Sequence, residues 1–238
     1  MQQVIVLVII FLAVFTQSLS GFGSALVAMA LLPAVIGLQI ATPLVALVAI
    51  TMEVVLLYRY RRAMQIKAIQ PVVIASLVGI PMGIVYLRRI DERVTLTILG
   101  VVIIGYAVYS LLNIHPPRLE HPAWGIGAGL LGGILGGAYN TSGPPVIVYG
   151  DCKRWPQEEF KGNMQAFFVI SSTIIALAHL IGGNITPEVW RLYLPSLPVI
   201  AAGIISGTSL DRYISQPVFR KIVIAVLIVM GLRLLWSP

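Results

Sequence analysis

From Val4 to Gly37 the chain runs without a charged side chain, and this stretch limits the possible folds more than any motif does. As one helix, at about 1.5 Å per residue, it would be about 50 Å long. The hydrocarbon core of a bilayer is only about 30 Å thick. The run is therefore too long for a single straight crossing. Gly21-Phe22-Gly23 interrupts it in the middle, and glycine weakens a helix interior. A second long apolar segment, 123–150, is interrupted in the same way by Asn140-Thr141-Ser142-Gly143-Pro144-Pro145, where proline adds its own helix-breaking effect.

Six further apolar segments fall near 42–58, 70–87, 94–114, 163–182, 190–208 and 217–236, joined by short loops. The chain has 58% hydrophobic and 11% charged residues, against about 25% charged in a soluble domain. A soluble enzyme is excluded, and an all-α integral membrane protein is expected. The N-terminal run lacks a basic lead and outlasts a signal-peptide core, so it reads as a retained membrane segment. The net charge of +7 sits in short loops, where Lys and Arg set membrane orientation; no nucleic-acid partner is expected. A lone cysteine, Cys152, allows no disulfide or cysteine-based metal site within the chain. No P-loop is present, so the chain itself shows no ATP motor. No cofactor, metal or catalytic residue is assigned.

The two breaks lie 120 residues apart, and sliding the chain by 120 superimposes its halves without a gap. Gly23 falls on Gly143, and Ser76-Leu77, Ile80, Gly83-Ile84, Asp91 on Ser196-Leu197, Ile200, Gly203-Ile204, Asp211. The expected organisation is a first membrane repeat over 1–118 and a second over 119–238. Internal duplication with a broken segment in each half is a transporter signature. If each long segment turns back at its break, each half makes an odd number of passes and the repeats are inverted. Each then has a re-entrant first segment followed by three transmembrane helices. With the N-terminus outside, Arg59, Arg61, Arg62, Lys67, Arg118, Lys153, Arg154, Lys161, Arg212, Arg220 and Lys221 are cytoplasmic. Only Arg88, Arg89, Arg93, Arg191 and Arg233 lie outside, as the positive-inside rule favours.

Non-helical backbone at membrane depth must be buried or line a cavity, so the breaks are expected at the protein centre. Helices restarting near Ser24 and Pro144 would aim positive N-terminal ends inward, and free amides with small hydroxyls suit an anion. The candidate substrate site comprises Gln17, Ser18, Ser20, Gly21, Phe22, Gly23 and Ser24 with Asn140, Thr141, Ser142, Gly143 and Pro144. The competing reading is that these small residues only let helices pack closely. Gln165 opens the sixth segment and leads a helical row through Val169, Ser172, Ala176 and His179; it joins the candidate site.

The element Gly21-Phe22-Gly23-Ser24-Ala25-Leu26 after an apolar helix, and its counterpart Asn140-Thr141-Ser142-Gly143-Pro144-Pro145-Val146, resemble the sulfite exporter TauE/SafE family over nearly the whole chain. That resemblance implies a multi-pass permease of the bacterial inner membrane. It also implies a small sulfur-containing anion, such as sulfite or a sulfonate, as substrate.

Glu53 lies within an apolar span, where an ionisable group is a functional hypothesis by default. It is the candidate for a coupling proton; the alternative is a structural pair with a basic residue. His179 is a second candidate relay. Lys161 could attract an anion electrostatically, but the favoured reading is a solvated loop residue. The expected function is a secondary transporter for a small anion, driven by a proton or substrate gradient. A channel-like facilitator is the alternative. An intramembrane enzyme would need paired carboxylates or clustered ligands, and only Glu53 and His179 lie within the spans.

Overall fold

The structure is a computed structural model that describes residues 1–89, 91–112, 118–119 and 121–211, together with 224–225, 227–229, 231–232 and 235. Arg212, Arg220, Lys221 and Arg233 of the charge argument lie outside the described residues. Among the described residues there is no strand. The helices are α1 (Gln2–Ser20), α2 (Ser24–Leu31), α3 (Pro33–Ile36), α4 (Leu38–Tyr60), α5 (Ile66–Arg89), α6 (Glu92–Leu111), α7 (Pro122–Tyr139), α8 (Gly143–Lys153), α9 (Gln157–Ile181) and α10 (Pro187–Leu210). Among the described residues six of them (α1, α4, α5, α6, α9 and α10) are long and apolar enough to cross a membrane. Their outward faces carry Val54, Val78, Val101 and Leu177, as a lipid contact requires. The protein is a multi-pass, all-helical membrane protein.

Both long segments break where the sequence places the break, for a local reason. Gly21 and Gly23 have φ of +89° and +102°, a left-handed region open to glycine and costly for other residues. At the end of α7 the same turn is made by Asn140 at φ +56°, the residue that best tolerates it after glycine. Pro144 and Pro145 then open α8, where a missing N–H costs nothing.

Each broken segment folds back on itself. The Gln2 side chain donates from Nε2 to the carbonyl of Val35 at 2.8 Å, although the two would lie about 50 Å apart in a continuous helix. In the second segment, Gly136 abuts Ser142, Gly132 abuts Val146, and Gly125 abuts Tyr149. Contacts that close at one end and widen in sequence describe an antiparallel hairpin.

Adding 120 to the bounds of α1, α4 and α5 gives 122–140, 158–180 and 186–209, which are the bounds of α7, α9 and α10 to within one residue. The packing repeats as well. Helix α1 lies along α10, and α7 along α5, so each half lends its first helix to the other. Gly203 meets Val14, and its counterpart Gly83 meets Ile134. Ser76 donates to the carbonyl of Val73 at 2.7 Å and Ser196 to that of Tyr193 at 2.6 Å. The identities that survive between the halves thus include the contacts of these borrowed helices.

At the centre α4 and α9 run antiparallel. The Glu53 carboxyl on α4 lies beside Ser172 on α9. Towards the other end of the pair, Gly162 sits against the backbone of Tyr60, Ala63 and Met64. Asn163 Oδ1 accepts from the amide of Gln65 at 2.7 Å. The turn after α4 and the start of α9 therefore share one face of the molecule. Cysteines placed at the exposed Arg62 and Glu158, in a Cys152→Ser background, are expected to react with an impermeant thiol reagent from the same side of the membrane. Labelling from opposite sides would refute the hairpin arrangement of the second broken segment.

Candidate functional site

The first break gathers polar side chains from both halves. Gln17, on the last turn of α1, turns its Oε1 to Ser24, accepting from the Ser24 amide at 3.2 Å and from the Ser24 hydroxyl. Its Nε2 lies 3.5 Å from Oε1 of Gln165 on α9. Gln165 in turn donates to the carbonyl of Gly21 at 2.8 Å. The Glu53 carboxyl on α4 lies beside Gln17 and Ser172. Gln17, Ser24, Glu53, Gln165 and Ser172 are all buried. A polar cluster in a membrane interior is retained only where its groups satisfy one another or a ligand. One oxygen of this cluster, Glu53 Oε2, is buried without a partner, as are Ser18 Oγ and Thr141 Oγ1.

The remaining candidates of the first break serve its shape. The Ser20 hydroxyl lies 2.7 Å from the Thr16 carbonyl and 2.6 Å from that of Phe22. The Phe22 ring stacks edge-on against Tyr106 and Phe160. Ser18 faces Gly207 of α10.

The second break stands apart from this cluster. Asn140 donates to the carbonyl of Thr42 at 2.8 Å, and Ser142 packs on Gly132 and Gly136. Gly143 lies against Ile147 and Phe168, and Pro144 is buried. Thr42 is eleven residues before Glu53 on α4, about 16 Å at a helical rise, and Gln165 is seven before Ser172 on α9, about 10 Å. Because α4 and α9 are antiparallel, these steps lead to opposite sides of Glu53. Gly143 nevertheless reaches α9 at Phe168, between Gln165 and Ser172, so the two breaks approach the centre from opposite sides. Among the described residues no hydrogen bond joins Asn140, Thr141, Ser142, Gly143 or Pro144 to Gln17 or Gln165. His179 also lies outside the cluster, near the end of α9, with Nδ1 3.1 Å from Asn184 Nδ2.

One residue departs from its sequence reading. Lys161 is not a solvated loop residue: it lies in α9 at 1% exposure, its Nζ 2.6 Å from Asp211 Oδ2. Its stem packs on Gly21, where a methyl group would come 2.9 Å from Lys161 Cγ. Extending the row Gln165, Val169, Ser172 back by one turn reaches Lys161, so the signal was present in the periodicity. The loop boundary, set at Lys161 by its charge, hid it.

Amide and hydroxyl donors from three helices converge at the first break, in a setting that excludes water and strengthens each bond. No group of three or more metal-binding side chains occurs among the described residues.

Comparison with known proteins places the chain among membrane transporters. The chain is 28% identical over 177 residues to the "Probable inner membrane transporter protein TsaS" of Comamonas testosteroni, covering 73% of each chain. No solved structure matches the chain. The family profile described as "Sulfite exporter TauE/SafE" matches residues 6–234, and the chain belongs to that family.

Proposed function

We propose that this protein is a secondary permease of the inner membrane that moves a small sulfur-containing anion, sulfite or an organosulfonate, and binds it at the first break. The observation that carries the reading is the convergence of Gln17, Ser24 and Gln165 on Gly21, in a buried setting built from both halves. The family and the transporter name of the relative support the substrate class and the membrane.

The repeats 1–118 and 119–238 are read as inverted. Support comes from α4 and α9, which correspond at an offset of 120 and run antiparallel, as a two-fold axis in the membrane plane requires. Inverted repeats provide two related arrangements that open to opposite sides, the basis of alternating access. The turns near Arg62 and Glu158 then face the cytoplasm, with the first break towards that side and the second towards the other. Glu53 beside Gln17 supplies the coupling proton.

The test is uptake of radiolabelled sulfite and a small sulfonate into proteoliposomes. Losing one hydrogen bond to a charged ligand is worth about 1.5–3 kcal/mol, so Gln17→Ala and Gln165→Ala should each lower kcat/KM by about tenfold or more. Asn140→Ala should change it less. Wild-type kcat/KM in both glutamine variants would move the site away from the first break. Flux that neither saturates nor responds to a proton gradient would identify a channel-like facilitator.

A further inference from the structure

The Lys161–Asp211 pair is a costly feature that the fold itself does not require. Lys161 and Glu53 are the ionisable acidic or basic side chains, histidine aside, that are buried among the described residues. Taking an ammonium out of water costs several kcal/mol, which one carboxylate only partly offsets. If the pair were a strut of the repeat, each half would carry it. The counterpart of Lys161 in the first half is Ala41, also buried, and the counterpart of Asp211 is Asp91, which caps α6 by accepting from the Arg93 amide at 2.8 Å. The same helices therefore pack in the first half without an ion pair at this position.

Its location relates it to the first break. Lys161 precedes Gln165 by one turn of α9, so both reach Gly21: Gln165 donates from Nε2 to the Gly21 carbonyl, and Lys161 packs its stem there. The Tyr60 ring lies 5.5 Å from Nζ. Asp211, at the end of α10, is 20% exposed while Lys161 is 1% exposed. The carboxylate is the more exposed member of the pair. A carboxylate and a sulfur oxyanion present the same chemistry to an ammonium: two oxygens on one centre, carrying negative charge.

We propose that Lys161 is the cation that selects the charge of the transported sulfur oxyanion, and that Asp211 holds its place between turnovers. The incoming anion displaces Asp211 and pairs with Nζ, then passes to the donors around Gly21. This rests on the permease reading above.

The test measures binding and flux separately in purified protein, using sulfite and methanesulfonate as probes. Asp211→Asn removes the competitor, and should lower the Kd for both anions about threefold to tenfold. Lys161→Gln should raise Kd more than tenfold, and Lys161→Arg should restore most of the affinity. Lys161→Gln/Asp211→Asn removes both charges, so it should fold yet bind as weakly as Lys161→Gln. A strut predicts the opposite for this double variant: wild-type Kd with restored stability. Wild-type affinity in the double variant, or weaker binding in Asp211→Asn, overturns the proposal while leaving the permease reading intact. Absence of anion binding and flux in the wild-type protein would sink both.

Discussion

Gly129→Leu should leave no folded, monodisperse protein in detergent, and Gly137→Leu should do the same. The reason is the contact between α5 and α7, which brings backbone against backbone. A methyl group on Gly129 would lie 2.1 Å from the carbonyl oxygen of Val72, and one on Gly137 would lie 2.2 Å from that of Ile80. Gly133 meets Ser76 between them, and from the other helix Gly79 and Gly83 meet the carbonyls of Leu130 and Ile134 at 2.3 and 2.1 Å. Without a hydrophobic driving force between helices in lipid, such close approach is the main source of attraction. A rigid backbone cannot yield as a flexible side chain does. Even Gly129→Ala should cost on the order of 2–4 kcal/mol, at or above the usual range for overpacking. Gly127 provides the control, because it is exposed and a methyl group there meets nothing within 4 Å. Gly127→Ala should be neutral or stabilising by up to about 1 kcal/mol, through helix propensity alone. The readout is size-exclusion behaviour and thermal stability in detergent. Equal stability of Gly127→Ala and Gly129→Ala would show that α5 and α7 do not meet along this stripe.

Glu53→Gln should abolish the response of transport to a pH gradient while leaving anion exchange at equal pH largely intact. Glu53 is 3% exposed and lies beside Ser172 and Gln17, between the helix pair at the centre and the first break. Glutamine keeps the length, the shape and an acceptor for Ser172, but carries no titratable proton. One pH unit across the membrane corresponds to about 1.4 kcal/mol, so a one-proton coupling yields up to about tenfold accumulation per unit. That factor is what the variant should lose. If Glu53→Gln still accumulates anion in proportion to the gradient, the carboxyl is structural. His179 then becomes the residue to test, through His179→Gln. The counterpart of Glu53 in the second half is Thr173, whose hydroxyl donates to the Val169 carbonyl at 2.6 Å. The two positions matched at an offset of 120 are therefore asymmetric in charge.

Much of the architecture was legible because it rests on features that sequence states directly. A charge-free stretch longer than a bilayer, with two glycines at its middle, has to bend. Asn140 before a Gly-Pro-Pro run marks the same event in the second half, and the offset of 120 relates the bounds of α1, α4 and α5 to those of α7, α9 and α10 to within one residue. The identities at Ser76/Ser196 and Gly83/Gly203 marked real contacts. The site was legible in part. Gln17, Gly21, Ser24, Gln165 and Glu53 were named and do converge. Whether the second break joins them depends on how far along α4 and α9 each break docks, which no local pattern encodes. Lys161 was missed because charge is a good guide to loops in membrane proteins. That guide fails where a cation has a buried partner fifty residues away.

The exchange of first helices between the halves has a consequence for how the protein is made. Ser18 of α1 rests on Gly207 of α10, so these partners are 189 positions apart in the order of synthesis. At roughly 5–20 residues per second the first span waits roughly 10–40 s in the bilayer before its partner surface exists. During that interval Gln17 and Ser18 face lipid, or whatever component of the insertion machinery shields them. Helices α7 and α5, by contrast, find one another as the second half begins to emerge. Assembly therefore starts at the middle of the chain and closes with its first helix, and a ribosome that stops short of α10 leaves α1 stranded in the membrane without its main partner.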